Sequence, residues 1–281
     1  ISIADRNIKT EYSLIRTFLA VLDLVSGRFN ASAVLDILGS EEIQKKFSFS
    51  PSDIDLIDKW VYETNIRWGI DGDFKENFSL PVYKENTWEM GLERILMGYA
   101  ISADDDLIVH DIYPYDGIGD GEIVLLGRFI SFFKILKSSA LRFRKTMPLN
   151  EWSEELTKLI DSLFIVDHDS EYILQILREA IQRLEKIRKN TSFEDTVGIK
   201  IIKAYVENEL NDKSYGSNFL KGNVTVSAML PMRSIPFRII CMLGMNGADF
   251  PRQEKRIEFD LISKEPRRGD RVLRDEDRYL F

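Results

Sequence analysis

Cysteine is nearly absent from this chain: Cys241 is the only one among 281 residues. No internal disulfide can form, and a reducing, cytoplasmic setting fits that usage. Histidine is scarce too. His110 and His168 lie far apart and neither has a Cys or His neighbour, so no zinc-ligand spacing exists. No apolar run reaches the roughly 18 residues of a membrane-spanning helix, and no signal peptide opens the chain. Positive charge is in deficit: 38 Lys and Arg against 46 Asp and Glu leave a formal net charge of −8. That balance argues against nucleic-acid binding by the whole surface, while leaving room for a local basic strip. The phosphate-cradling pattern Gly-x-x-x-x-Gly-Lys-Ser/Thr is missing, as is a nucleophile elbow. Internal repeats and low-complexity tracts are missing as well.

What is present is a helix-forming pattern over the first two-thirds. "TEYSLIRTFLAVLDLVSG" has apolar residues at helical spacing, a cap at Thr10 and a stop at Gly27. "NASAVLDILG" has Asn30 as cap and Gly39 as stop. Ser50 and Pro51 open "SPSDIDLIDKWVYETNI", since proline at the first helical position loses only an amide donor that would be unpaired anyway. "RWGIDGDFKENFSLP" reads as a loop, and Thr87 caps "TWEMGLERILMGYA". Residues 102–122 read as an acidic, turn-rich excursion. "EIVLLGRFISFFKILKSSALRFRK" reads as a long amphipathic helix with a basic tail. It is followed by "NEWSEELTKLIDSLF" capped at Asn150, then "DSEYILQILREAIQRLEKIRKN", then "SFEDTVGIKIIKAYVENELN". After about Lys213 the character changes. "GNVTVSAML" and "FRIICMLGM" are β-branched or apolar runs bounded by Gly and Pro, as buried strands of an α/β sheet are. The expected fold is therefore mainly α with a smaller α/β part: a helical domain over 1–213 and a partial α/β domain over 214–281. The two strands should lie side by side around a buried Cys241, a small apolar core residue rather than a reactive thiol. The chain opens at Ile1 and stops at "RDEDRYLF" in mid-helix pattern, which implies a piece of a longer protein.

Candidate chemistry is sparse. "DGDFK" (Asp71 to Lys75) has two carboxylates beside a lysine, as metal-dependent nucleases do, but sits in a glycine-rich loop and reads as a solvated turn. "DGIGDGE" (Asp116 to Glu122) lacks the ligand series of a calcium loop. Trp60, Trp68, Trp88 and Trp152 lie on or beside apolar helix faces, where core packing is the ordinary role. The tail differs. Lys264, Arg267, Arg268, Arg271 and Arg274 face only Glu265 and Asp270 as local opposites, and Gly269 gives the loop freedom. The strip is either a solvated charged loop or a phosphate-contacting surface, since arginine forks match phosphate oxygens. Asp275 and Arg278, spaced i,i+3, share a helix face. They form either an internal salt bridge or a pair of base-edge readers, Asp accepting from cytosine and Arg donating to guanine.

The stretch "AMLPMRSIPFRIICMLGMNGADFP", Ala228 to Pro251, resembles motif V of superfamily-one DNA helicases. Phe237, Gly244, Phe250 and Pro251 fall on its frame. Its polar working positions are replaced: Ala228 for Thr, Leu230 for His, Arg233 for Lys, Ser234 for Gly and Pro236 for Glu. "DEDRYL" resembles the start of motif VI, with Arg278 at one arginine position and Asp277 at another. "MLPMRSIPF", "FPRQ", "FDLIS", "EPRRGDR" and "RDEDRYLF", with "NIRWGID", "NTWEMGLERILMGYA" and "PLNEW" upstream, are similar to phrases of one family. That family is RecC, the gamma subunit of bacterial exodeoxyribonuclease V, which is helicase-shaped but has no motor. The resemblance implies a helical 2B-like insertion domain plus part of a 2A-like domain with degenerate motifs V and VI. It also implies a non-catalytic segment of the subunit that separates the strands, guides one of them and reads a recombination hot spot. The implied partners are DNA, as single strand and duplex end, with a helicase-nuclease beta subunit and a helicase alpha subunit. No cofactor belongs to this segment, ATP and magnesium being used by the partner subunits. The implied DNA-contacting residues are Arg233, Arg267, Arg268, Arg271, Arg274, Asp275 and Arg278. An active helicase or nuclease fragment and a pure protein-docking module are the alternatives.

Overall fold

The computed structural model describes residues 2–3, 12–101, 108, 112–165, 167, 170–212, 224–226, 236–246, 250–251 and 277. The chain divides into two compact units: residues 7–214, and residues 1–6 with 215–281. The described residues are mainly α-helical, as the sequence implies.

The larger unit is built on α1, Ser13–Ser26. Nearly every side of this helix is apolar, so it can only be satisfied when surrounded. Ile15, Phe18, Val21, Leu22 and Val25 are fully buried. Gly27 ends it, its amide turning back to the Leu24 carbonyl at 3.1 Å. Against it pack α2 (Ala31–Leu38) and α3 (Glu41–Phe47), and α4 (Pro51–Glu63) packs on α2. Ser50 caps α4 as its sequence indicates: the hydroxyl accepts from the Asp53 amide, and the Asp53 carboxylate accepts from the Ser50 amide at 2.8 Å. Helix α3 has no counterpart in the sequence reading, although Ser40 ahead of Glu41 and Glu42 is an ordinary start signal.

Within the expected loop of residues 67–81 a short helix, α5 (Gly72–Glu76), forms because Asp71 accepts from the Phe74 amide at 2.8 Å. Helix α6 (Trp88–Ala100) is capped by Thr87, which accepts from the Met90 amide. A 3-10 turn at Asp120–Glu122 leads into α7 (Ile123–Phe143). The next helix, α8 (Leu149–Leu163), starts ahead of Asn150. Pro148 is the capping residue, and its carbonyl accepts the Trp152 amide at 3.1 Å. Helix α8 packs against α9 (Glu171–Thr191); Trp152, Leu156 and Ile160 of the one and Leu177, Ile181 and Leu184 of the other are buried. Helix α10 (Ile199–Asp212) buries Ile199, Ile202, Val206 and Leu210, one stripe at helical spacing. The residues before α10 are extended: Met147 and Val197 exchange backbone bonds, and the Trp152 indole donates to the Val197 carbonyl at 2.9 Å.

In the smaller unit, β1 (Ser2–Ile3) pairs in parallel with β2 (Thr225–Val226), in the register Ser2 to Thr225 and Ile3 to Val226. The expected pairing of "VTVSAML" with "RIICMLG" is not observed. Residues 236–246 form no strand, and Cys241 is exposed rather than buried. Ile239 and Leu243 are 83% and 88% exposed. An apolar run specifies a buried parallel strand only where neighbouring strands take its backbone groups and layers cover both faces. Neither is provided for this segment among the described residues.

Helix α6 touches its neighbouring loop through a glycine. A Cβ on Gly98 would lie 1.6 Å from the Tyr115 carbonyl oxygen, whereas one on Gly127 of α7 would meet nothing within 4 Å. Gly98→Ala should therefore lower stability by roughly 1–3 kcal/mol through overpacking against backbone. Gly127→Ala should raise it by about 0.5–1 kcal/mol through reduced chain entropy. Urea unfolding of the two variants checks the contrast.

Candidate functional site

Helix α1 ends in a corner that gathers four segments. Phe29 adopts a left-handed backbone, φ 60°, and buries its ring completely. The strain of roughly 1–2 kcal/mol for a non-glycine residue is offset by burial of an aromatic ring, about 1.5–3 kcal/mol. The ring meets Phe133 of α7 edge-on at 5.9 Å and Phe74 of α5 at 6.3 Å. The Phe29 carbonyl accepts the Trp88 indole N–H at 3.2 Å. On either side of Phe29, the Gly69 amide donates to the Arg28 carbonyl (3.1 Å), and the Ala31 amide to the Arg67 carbonyl (2.8 Å). The first amides of α6 close the assembly, Trp88 donating to Gly69 and Glu89 to Ile70. Gly69 has φ +82°, which only glycine adopts without strain.

This corner presents a cluster of cations on rings. The Arg28 guanidinium stands 5.9 Å from the centre of Trp68 and 5.7 Å from that of Phe78. Arg144, just past the end of α7, stands 4.1 Å from Phe74 and 5.3 Å from Phe78. The Lys75 ammonium lies 5.3 Å from the Trp68 centre and donates to the Glu85 carbonyl at 2.6 Å. Trp68 and Phe78 meet edge to face at 5.9 Å and are half-buried. Arg28 is exposed and Arg144 half-buried, the latter donating through Nη2 to the Gly27 carbonyl at 3.2 Å. Among the described residues neither arginine has a carboxylate partner. The acids Asp71 and Glu89 face Lys137, and Glu85 acts on Lys75.

The arrangement suits recognition of an anion beside a planar group, because a guanidinium over a ring keeps its N–H edges available. No group of His, Cys, Asp or Glu able to hold a metal exists among the described residues. "DGDFK" is not a solvated turn: Asp71 caps α5, and Lys75 is buried. Of the four tryptophans, Trp60, Trp88 and Trp152 are core residues, and Trp68 is the exception.

Arg233, Arg267, Arg268, Arg271, Arg274, Asp275 and Arg278 lie outside the described residues, as do Thr10, His110 and His168. Of the motif V frame, Phe237 is half-buried, and Gly244 has φ 74°, a glycine-favouring turn. The Phe250 amide donates to the Asn246 carbonyl at 2.9 Å. Asp277 is buried. The cation–ring cluster escaped the sequence reading because its members are scattered from residue 28 to residue 144. The available signals were the basic tail of α7 and the Arg-Trp pair at 67–68.

These features define a mainly helical protein with a cationic aromatic corner. Residues 11–214 match the family described as the fourth domain of RecBCD enzyme subunit RecC. RecBCD enzyme subunit RecC of Escherichia coli (strain K12) is 31% identical over 281 residues, all of this chain and 25% of that protein. The RecC subunits of Mycolicibacterium smegmatis and Haemophilus influenzae are each 31% identical, over all of this chain and 25% and 24% of their own lengths. The chain belongs to the RecC family, and spans about a quarter of the length of the curated relatives it matches.

Lys75 gives a test of the corner. Burial pulls its ammonium below the ordinary 10.5, with Glu85 acting in the opposite direction. The unfolded chain then binds more protons between the folded and unfolded values. Folding stability is therefore penalised below that window and recovers as pH rises through it toward 10.5. Lys75→Met should remove this recovery. The urea-midpoint difference, wild type minus variant, should climb from neutrality to the ordinary lysine value; a flat difference would show a solvated ammonium.

Proposed function

We propose that the chain is a non-catalytic part of the DNA-guiding, strand-separating subunit of bacterial exodeoxyribonuclease V. This complex processes double-strand ends for recombinational repair. The observation that carries this is the match of the whole chain to RecC subunits at 31% identity. Three further points support it. The helicase-like turn keeps its apolar frame while its polar working positions are replaced, with Arg233 and Pro236 among the substitutes. The sequence has no phosphate-cradling loop. No helix among the described residues is long and apolar enough to cross a membrane, which suits a cytoplasmic DNA enzyme.

In this reading residues 1–213 are the 2B-like insertion and 214–281 a partial 2A-like domain. The partners are a helicase-nuclease beta subunit and a helicase alpha subunit, which use ATP and magnesium. Arg267, Arg268, Arg271 and Arg274 contact phosphates, Asp275 and Arg278 read base edges in the hot spot, and Arg233 positions its turn against DNA. Pro231 and Pro236 restrict that turn, so it no longer couples DNA to nucleotide.

The test uses the assembled complex. Neutralising Arg267, Arg268 and Arg271 together should weaken binding to every DNA sequence and flatten its salt dependence. Asp275→Asn or Arg278→Gln should alter hot-spot response while unwinding persists. Arg233→Ala should lower DNA binding with ATPase retained. The same uniform loss from both sets, or an ATPase loss from Arg233→Ala with normal binding, would overturn these assignments.

A further inference from the structure

We propose that the corner of the helical unit is a second nucleic-acid contact: Arg28 and Arg144 grip the backbone phosphates of a single strand, and Trp68 offers a stacking surface beside them. The proposal rests on the reading above, and adds a site far in sequence from the arginines of 267–278.

The first support is a charge imbalance. Two guanidiniums share one ring, 5.7 and 5.3 Å from the Phe78 centre, with Lys75 close by. Like charges this close repel unless an anion joins them. The chain has acids in excess and pairs several arginines with them: Arg128 with Asp53, Arg142 with Glu151, Arg178 with Asp161, Arg183 with Glu209 and Arg188 with Glu194. Among the described residues it leaves Arg28 and Arg144 without a carboxylate. Burial alone lowers the Arg144 guanidinium, with no acid raising it.

The second support is unused donors. Arg28 donates to no group among the described residues. Arg144 uses Nη2 on Gly27, while its Nε is buried without a partner. Contact with the rings restricts both forks, so less freedom is lost when they meet phosphate oxygens. The third support is the half-exposed indole. An acidic peptide would satisfy the arginines but leave Trp68 without a role. A single strand supplies an anion and a flat base at every nucleotide, and base–aromatic stacking needs no particular sequence.

Fluorescence anisotropy of a fluorescein-labelled oligo(dT) with the 281-residue chain, across a salt series, tests this. Arg28→Gln, at an exposed position, should cost roughly three- to tenfold in affinity at low salt and reduce the salt slope by about 0.7. Arg144→Gln should do the same, with urea unfolding as its folding control. Trp68→Leu should lower affinity with the slope unchanged, because stacking releases no counterions. Unchanged affinity and slope in Arg28→Gln would overturn the proposal. So would no binding of oligo(dT) by the wild-type chain, or Arg28-dependent binding of poly-glutamate in place of DNA. If neutralising Arg267, Arg268 and Arg271 abolishes binding while Arg28→Gln does not, this site fails and the family reading stands. If only Arg28→Gln flattens the slope, this site stands and the phosphate role of the tail strip fails.

Discussion

The hydrogen bond from the Trp88 indole to the Phe29 carbonyl organises the helical unit. It is available only because Phe29 takes a left-handed backbone. That turn directs the ring into α5 and α7, and the carbonyl toward the start of α6. Two flanking backbone bonds then lay residues 67–69 against residues 28–31. One dihedral choice thus fixes the exit from α1, the path of the glycine-rich loop and the start of α6. Its strain is tolerated because a buried aromatic ring and several otherwise unpaired backbone groups depend on it.

The same corner determines how charge is distributed. Five arginines of this acidic chain pair with a carboxylate among the described residues, where an exposed pair contributes little to stability. Arg28 and Arg144 instead lie against rings. Such contacts stabilise a cation without cancelling its charge, so positive potential persists on a protein with a net charge of −8. A net charge says little about local surfaces, and the corner shows why: field depends on placement, while composition records only the sum.

Membership of the RecC family and the geometry of the helical unit meet at the segment "NIRWGIDGDFK". From Arg67 it reads as a loop, and its first seven residues, "NIRWGID", resemble a family phrase. In the structure its backbone carries the junction, while Trp68 and Lys75 face the cation cluster. The smaller unit shows less of its logic, because its apolar segment at 239–243 lies uncovered.

What the sequence determined by itself was local. Ser50 with Asp53, Thr87 before Trp88 and Gly27 after Ser26 set helix ends through bonds within a few residues. Apolar spacing in α1, α7, α9 and α10 set which faces are buried, because helical periodicity is carried by neighbours three and four apart. Motif phrases carried the family. Tertiary structure decided which of four tryptophans would be left half-exposed, that Lys75 would be buried rather than solvated, and that Cys241 would be exposed. It also decided that Arg28 and Arg144, separated by more than half of the helical unit, would share one ring. These outcomes depend on which distant segments supply a cover, a carbonyl or a ring face, and no local spacing encodes that.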